Sequence, residues 1–190
     1  LLVIEKCIAI GVMSGTSVDG LDVCICQFEK LNKKWKYQIL DSQVYDYNPK
    51  MKNSLLQIAN LSVEEIVLLE NEFSIFVANC VNLFLTKNKL KPDIIASHGH
   101  TAFHDPSKGY TYQICNGEIL AKLTGVKVVC DFRRGDVALG GQGAPLVPIG
   151  DKLLFGEYSA CLNLGGFSNI SFDDDKGVRI AYDVSPLNIY

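Results

Sequence analysis

Gly11-Val12-Met13-Ser14-Gly15-Thr16-Ser17-Val18-Asp19-Gly20-Leu21-Asp22 is the stretch around which the chain is organised. An apolar strand, Cys7 to Met13, runs into it, and a second strand, Leu21 to Phe28, runs out of it. No bulky side chain stands from Ser14 to Ser17. Such a turn exposes backbone N–H groups and two or three hydroxyls to one ligand, which is how a chain builds a seat for phosphate oxygens. A P-loop is excluded, because it needs Gly-Lys-Ser/Thr and no Lys is present here. A plain tight turn is the alternative. It accounts for one Gly and one Asp, but it has no need of Ser14, Thr16, Ser17, Asp19 and Asp22 together.

Outward from the turn, a third strand is expected at about residues 35–45, after the polar Asn32-Lys33-Lys34, completing an antiparallel meander. Pro49 opens a short helix to about Asn60, with Leu55, Leu56, Ile58 and Ala59 inward. Ser62 and Glu65 form a capping-box signature. The helix that follows carries Ile66, Leu69, Phe73, Phe76, Val77, Cys80 and Phe84 on one stripe and ends by Lys91-Pro92. Strands are expected at 93–97, 110–115, 126–130, 159–164, 168–172 and 178–184, with short helices at 117–123 and 146–156. Polar clusters follow the strands at 14–20, 97–104, 131–142, 165–169 and 183–188. Hairpins first, then strands alternating with helices, imply an α/β fold with a mixed sheet covered by helices. No internal repeat is visible.

At 190 residues the chain fits one large domain or two small ones, and its hydrophobic content of 48% and charged content of 21% are those of an ordinary globular protein. A net charge of −3 and a pI of about 5.6, without a basic cluster, argue against a nucleic-acid partner. No uninterrupted apolar run reaches the ~18 residues of a membrane span, so no membrane partner is expected. The N-terminus lacks a signal-peptide pattern. Seven cysteines without a Cys-x-x-Cys read as buried free thiols in a reducing cytoplasm, with Cys24 and Cys26 on the same side of a strand.

The candidate chemistry lies in the clusters. His98, His100 and His104 are the three histidines of the chain. They suit sugar hydrogen bonding, structural polar contacts or, with no completing ligand spacing, a metal. Arg133, emerging after a strand beside Gly140-Gly141-Gln142-Gly143-Ala144-Pro145, suits an anion or a hydroxyl. That loop either lets a ligand lie on the main chain with Gln142 reaching it or is merely flexible. Asp183, at a strand end beside Ser-Pro, suits a general base, a metal-water ligand or a turn cap.

These motifs together resemble the anhydro-N-acetylmuramic acid kinase family. Residues 13–22 closely resemble its N-terminal signature. Ser97-His98-Gly99-His100-Thr101 is similar to its Ser-His-Gly-Gln-Thr, residues 131–148 resemble its most recognisable loop, and 162–170 its Leu-Asn-Ile-Gly-Gly-Ile-Ala-Asn. The resemblance implies the actin-like fold of sugar kinases, Hsp70 and actin, with residues 1–190 as the N-terminal domain of a two-domain kinase and the C-terminal domain as a missing partner. It implies ATP and Mg²⁺ as cofactors and an amino sugar as substrate. The reaction would be phosphorylation of 1,6-anhydro-N-acetylmuramic acid at O6 with hydrolytic ring opening, in cytoplasmic peptidoglycan recycling. On this basis Gly15, Thr16, Ser17, Val18, Asp19, Gly20, Leu21 and Asp22 form the phosphate loop, Asp19 orients Mg²⁺-bound water, and His98, Arg133 and Gln142 contact the sugar. Asp183 is the base, aligned with the Asp of Asp-Thr-Gly-Pro-Gly-Asn. Two departures stand out: His100 replaces a Gln, and Val184, Ser185 and Leu187 replace a Thr and two glycines. The isolated chain is expected not to turn over ATP. A stand-alone, non-catalytic sugar- or phosphate-binding module is the alternative, and homodimerisation is left open.

Overall fold

A computed structural model of the chain describes residues 5–32 and 34–187. The Asn32-Lys33-Lys34 turn is therefore described only at its flanks, and the N-terminal residues 1–4 and the segment 188–190 lie outside the described residues.

The opening meander forms as expected. Strand β1 (Glu5–Ser14) pairs antiparallel with β2 (Leu21–Leu31), which pairs antiparallel with β3 (Lys34–Tyr45). Helix α1 (Pro49–Leu56) is capped by Asn48 and followed by a 3₁₀ turn (Ile58–Asn60). Leu55 and Ile58 are buried, but Leu56 and Ala59 are exposed, because the break at Gln57 shifts the inward face. Ser62 and Glu65 close the capping box of α2 (Val63–Asn88). The helix ends on Lys89 in the left-handed conformation, two residues before Lys91-Pro92. Ile66, Leu69, Phe73, Val77, Cys80 and Phe84 are buried against the sheet, and Phe76 is half-buried. Burying each Phe or Leu contributes about 1.5–3 kcal/mol. By length and composition alone α2 is long and apolar enough to cross a membrane, a test that buried core helices also pass.

Strand β4 (Ile94–Asp105) is the first departure. The sequence suggests a loop after Ser97, but the strand runs on through all three histidines. It is held by three partners: β1 in parallel, β5 (Tyr110–Ile114) antiparallel along its second half, and β6 (Lys127–Val129) in parallel along its first half. The larger sheet thus runs β3-β2-β1-β4-β5, with β6 also on β4. Helix α3 (Gly117–Thr124) joins β5 to β6 and is closed by Gly125 at φ 69°. The second departure is α4 (Phe132–Ala138), a helix where a loop was expected.

Helix α5 (Val147–Leu154) leads to a second antiparallel sheet, β7 (Cys161–Leu164), β8 (Phe167–Asp173) and β9 (Arg179–Pro186). α5 covers one face, where buried Asp151 accepts a hydrogen bond from Ser171 Oγ at 2.5 Å. The chain therefore contains two three-stranded meanders, a structural repetition that the sequence does not display. The result is a mixed parallel and antiparallel sheet flanked by helices, consistent with the actin-like class.

All seven cysteines are free. Only Cys80 and Cys115 are fully buried; the other five are half-buried, which corrects the expectation of buried thiols. Cys24 and Cys26 do share a face, with their sulfurs 3.6 Å apart.

Candidate functional site

The turn between β1 and β2 is held from beneath. Val18 adopts φ 50° and is almost fully buried, a plug that a β-branched residue fills at the cost of backbone strain. Its N–H donates to Gly15 O at 3.1 Å. Gly20 lies against β3: a Cβ there would stand 2.5 Å from Val44 Cγ1 and 3.2 Å from Tyr45 O. Ser17 Oγ donates to Asp19 Oδ1 at 2.9 Å. Burial and the charge of Asp19 hold the Asp22 carboxyl above its usual range.

Opposite stands the turn between β7 and β8, made of Gly165 and Gly166. A Cβ on Gly166 would lie 3.9 Å from Thr16 Oγ1, so the two hairpin tips face each other. Between them opens a cleft of about 820 Å³, lined by residues of both tips together with His98, Thr101 and Arg133. A second cavity, about 580 Å³, lies beside the other face of α4 and is lined by Glu70, Tyr112, Asn116, Asp131 and Arg134. It contains neither hairpin tip.

The wall formed by β4 and α4 is built by a bulge. Val12 pairs with Ser97 and Ser14 with His100, so one residue of β1 stands opposite His98 and Gly99. Gly99 takes φ 73°. His98 consequently lines the cleft, while His100 packs beside Phe73 in the core. His98 Nδ1 donates to Gly99 O at 3.0 Å, which leaves Nε2 to accept from Arg133 Nε at 2.9 Å. Arg133 Nη1 donates to Gly143 O at 2.7 Å. Burial, followed by the Arg133 charge, pulls the His98 pKa below its ordinary value, so the ring is a neutral acceptor. Arg133 is thus locked on its Nε edge, and Nη2 makes no hydrogen bond among the described residues. A guanidinium fixed on one edge is suited to an anion or a sugar hydroxyl on the other.

Asp136 anchors the glycine-rich loop. Its carboxylate accepts from Gly143 N at 2.7 Å, and its backbone oxygen accepts from Gly141 N at 2.9 Å. A Cβ on Gly141 would fall within 2.6 Å of that carboxylate. This role for Asp136 was not anticipated; the signal was an acid four residues before a Gly-rich turn.

Of the residues singled out from the sequence, Gly15, Thr16, Ser17, Asp19, Asp22, His98 and Arg133 line one cleft. Val18 and Leu21 are buried, and Gly20 is packed on β3. Gln142 is exposed on its loop, outside the cleft lining. Asp183 is exposed and lies inside β9, which runs on to Pro186 rather than ending at Asp183. It pairs with Asn169, which pairs with Asn163 of the cleft wall, so the structure places it in register with the cleft without bringing it into the lining. The departures in the segment after Asp183 have a visible consequence. Ser185 bonds Ser168 through both backbone and hydroxyl, Leu187 N donates to Gly166 O at 2.9 Å, and the segment zips onto β8 as strand. His104 bonds Thr111 Oγ1 at 2.9 Å, away from the cleft lining. Among the described residues no group of three or more His, Cys, Asp or Glu is placed to hold a metal.

Comparison with known proteins shows the family. The family model described as anhydro-N-acetylmuramic acid kinase matches residues 7–190. Proteins of that name from Pseudomonas putida, Pasteurella multocida and Haemophilus influenzae are 42%, 35% and 34% identical over 95%, 94% and 94% of this chain. The chain covers 51%, 49% and 48% of their respective lengths, so it spans about half of the curated relatives it matches. A match that begins in β1, passes through both hairpin tips and the Arg133 wall, and continues beyond β9 makes the chain a member of the anhydro-N-acetylmuramic acid kinase family.

Proposed function

We propose that this chain is the N-terminal part of a two-part, cytoplasmic sugar kinase. The whole enzyme would phosphorylate 1,6-anhydro-N-acetylmuramic acid at O6 and open its anhydro ring by hydrolysis, giving N-acetylmuramic acid 6-phosphate in peptidoglycan recycling. The observation that carries the reading is the pair of facing hairpin tips, Thr16 against Gly166, above the tethered Arg133.

The residues present fit a magnesium nucleotide. A Cβ on Gly166 would only reach van der Waals contact with Thr16 Oγ1, at 3.9 Å, and the cleft of about 820 Å³ that both tips line has room for phosphate. Burial and, behind it, the charge of Asp19 raise the Asp22 carboxyl above its usual range, an arrangement that a divalent cation would relieve. When bound, MgATP supplies the phosphoryl group and the cation that neutralises charge on its oxygens. Backbone N–H groups of residues 15–17 and of Gly166, with Thr16 Oγ1, are assigned to the phosphates, and Asp19 to the ion through water.

On the sugar side, His98 and Arg133 form one rigid unit that orients hydroxyls or the lactyl carboxylate; Gln142, outside the lining here, would join them only by a movement of its loop. Asp183 is the proposed base. Its exposed carboxylate would take a proton from water attacking the anomeric carbon; the C1–O6 bond breaks, and O6 would accept the γ-phosphoryl group as ADP leaves. Because the chain spans about half of its relatives, the isolated 190 residues are proposed to be unable to turn over ATP.

The test is to express the complete reading frame that contains this chain and incubate it with MgATP, the anhydro sugar and ¹⁸O-water. A 6-phosphate with ¹⁸O at C1 is expected. Phosphorylation without ¹⁸O incorporation would refute the hydrolytic step. Sugar binding without any phosphorylation would favour a non-catalytic binding module.

A further inference from the structure

Three buried polar side chains beneath the first hairpin tip have no part in the proposed chemistry. Ser14, the last residue of β1, is 1% exposed, His100 of β4 2% and Tyr47, between β3 and α1, 8%. Tyr47 O–H donates to Ser14 Oγ at 2.7 Å, and Ser14 Oγ lies 2.9 Å from His100 Nδ1. The direction of the second bond follows from the first. If His100 donated through Nδ1–H, Ser14 Oγ would accept both bonds on its two lone pairs and its own proton would be left with no acceptor in the trio. A buried donor without a partner is costly. With Ser14 donating to a bare Nδ1, both hydroxyl protons are used.

We propose that Tyr47 and His100 are positioning residues for the phosphate seat, joined to it by a directed chain, Tyr47 O–H to Ser14 Oγ and Ser14 O–H to the Nδ1 of neutral His100. This inference rests on the reading of the tip as a phosphate seat and adds residues to it. The chain ties together the β3–α1 connection, the end of β1 and the bulge of β4, the three supports from which residues 15–19 project. It also withdraws Ser14 from ligand binding, because its proton is already donated. Ser17 is turned toward Asp19. Thr16 is then the tip hydroxyl that faces the cleft and Gly166.

The surroundings keep the chain in this protonation state. The Phe73 ring of α2 stands 6.4 Å from the imidazole, centroid to centroid. Burial, and behind it the neighbouring His98 on the same strand, disfavour a charged His100 imidazole. Asp19, Asp22 and Cys80 disfavour ionisation of Tyr47, again behind burial.

The test uses the 190-residue chain labelled with ¹⁵N. Long-range imidazole spectra are expected to show His100 as the Nε2–H tautomer, unchanged from pH 8 to pH 5. Tyr47→Phe is expected to speed exchange of the Val18 amide at least about tenfold, the size of one lost buried hydrogen bond, with α2 amides unchanged. His100→Leu should act like Tyr47→Phe, whereas His100→Gln, whose amide oxygen can still accept, should stay within about threefold of the parent. An Nδ1–H tautomer, or a Val18 amide indifferent to Tyr47→Phe, overturns the proposal. Should either variant fail to fold, the tautomer in the unmodified chain still decides it. Magnesium tripolyphosphate, added to the same sample, tests the seat itself. If the Thr16 and Gly166 amides do not shift, the phosphate reading fails, and with it the functional half of the proposal; the tautomer and exchange results judge the hydrogen-bond chain separately.

Discussion

Replacing Gly99 with Ala perturbs the bulge that sends His98 to the cleft and His100 to the core. Its φ of 73° lies in the left-handed region, where a Cβ costs roughly 1–2 kcal/mol. The new methyl would also stand 2.6 Å from Ile114 O and 3.3 Å from the Cβ atoms of Gln113 and Cys115. Ile114 O belongs to the backbone of β5, so the clash is relieved only by parting β4 from β5, which adds about 1–3 kcal/mol as an overpacking cost. The total is about 2–5 kcal/mol, or roughly 10 °C in Tm for a chain of this size. Gly125 provides the control: its φ is 69°, yet nothing lies within 4 Å of the added Cβ, so Gly125→Ala should cost about 1 kcal/mol, the conformational term alone. Urea unfolding of the two variants measures the difference. Equal losses would refute the claim that close approach of β5, rather than φ alone, requires glycine at 99.

Other outcomes follow from the same contacts. Burial lowers the His100 pKa to about 4 from an unfolded value near 6.5, so the unfolded chain binds the proton more tightly. That stability is complete above about pH 6.5 and is lost as the pH falls toward 4, by about 3 kcal/mol in all; unfolding titrations should show the slope, and His100→Gln should flatten it. Arg133→Met removes two hydrogen bonds and a charge from the cleft wall. It should cost about 2 kcal/mol in urea unfolding and let His98 titrate at a higher pH by NMR. Ser185→Gly with Leu187→Gly should release the end of β9 from Ser168, at about 1–2 kcal/mol from backbone entropy, and speed proteolysis there while leaving the β1–β2 tip unchanged.

Where local signals are self-sufficient, the sequence is legible. The meander, the Ser62–Glu65 capping box and the Gly125 stop of α3 all stand where their own residues place them. Where pairing is decided by distant strands it is not. Residues 98–105 look like a polar loop because three histidines and a glycine interrupt the apolar pattern, but β5 pairs with residues 100–105 and β1 with His100. The isolated Gly99 in a strand was the available sign of a bulge. Helix α4 is short, carries Gly135 and starts from Asp131 at φ 60°, so it offers little periodicity to read. The cleft was legible as a set of residue types but not as contacts. Arg133 and His98 meet across 35 positions, and Thr16 faces a glycine 150 residues away, which no spacing rule connects.

The central claim is that the two hairpin tips act as one phosphate-binding device, and it is most directly tested by titrating the ¹⁵N-labelled chain with MgATP and following the backbone amides. The account predicts that Gly15, Thr16, Gly165 and Gly166 shift together, with a single binding constant, and that a Thr16→Ala, Gly166→Val double variant abolishes the response. Saturable shifts confined to the cavity of Glu70 and Arg134, or shifts at one tip without the other, would contradict it.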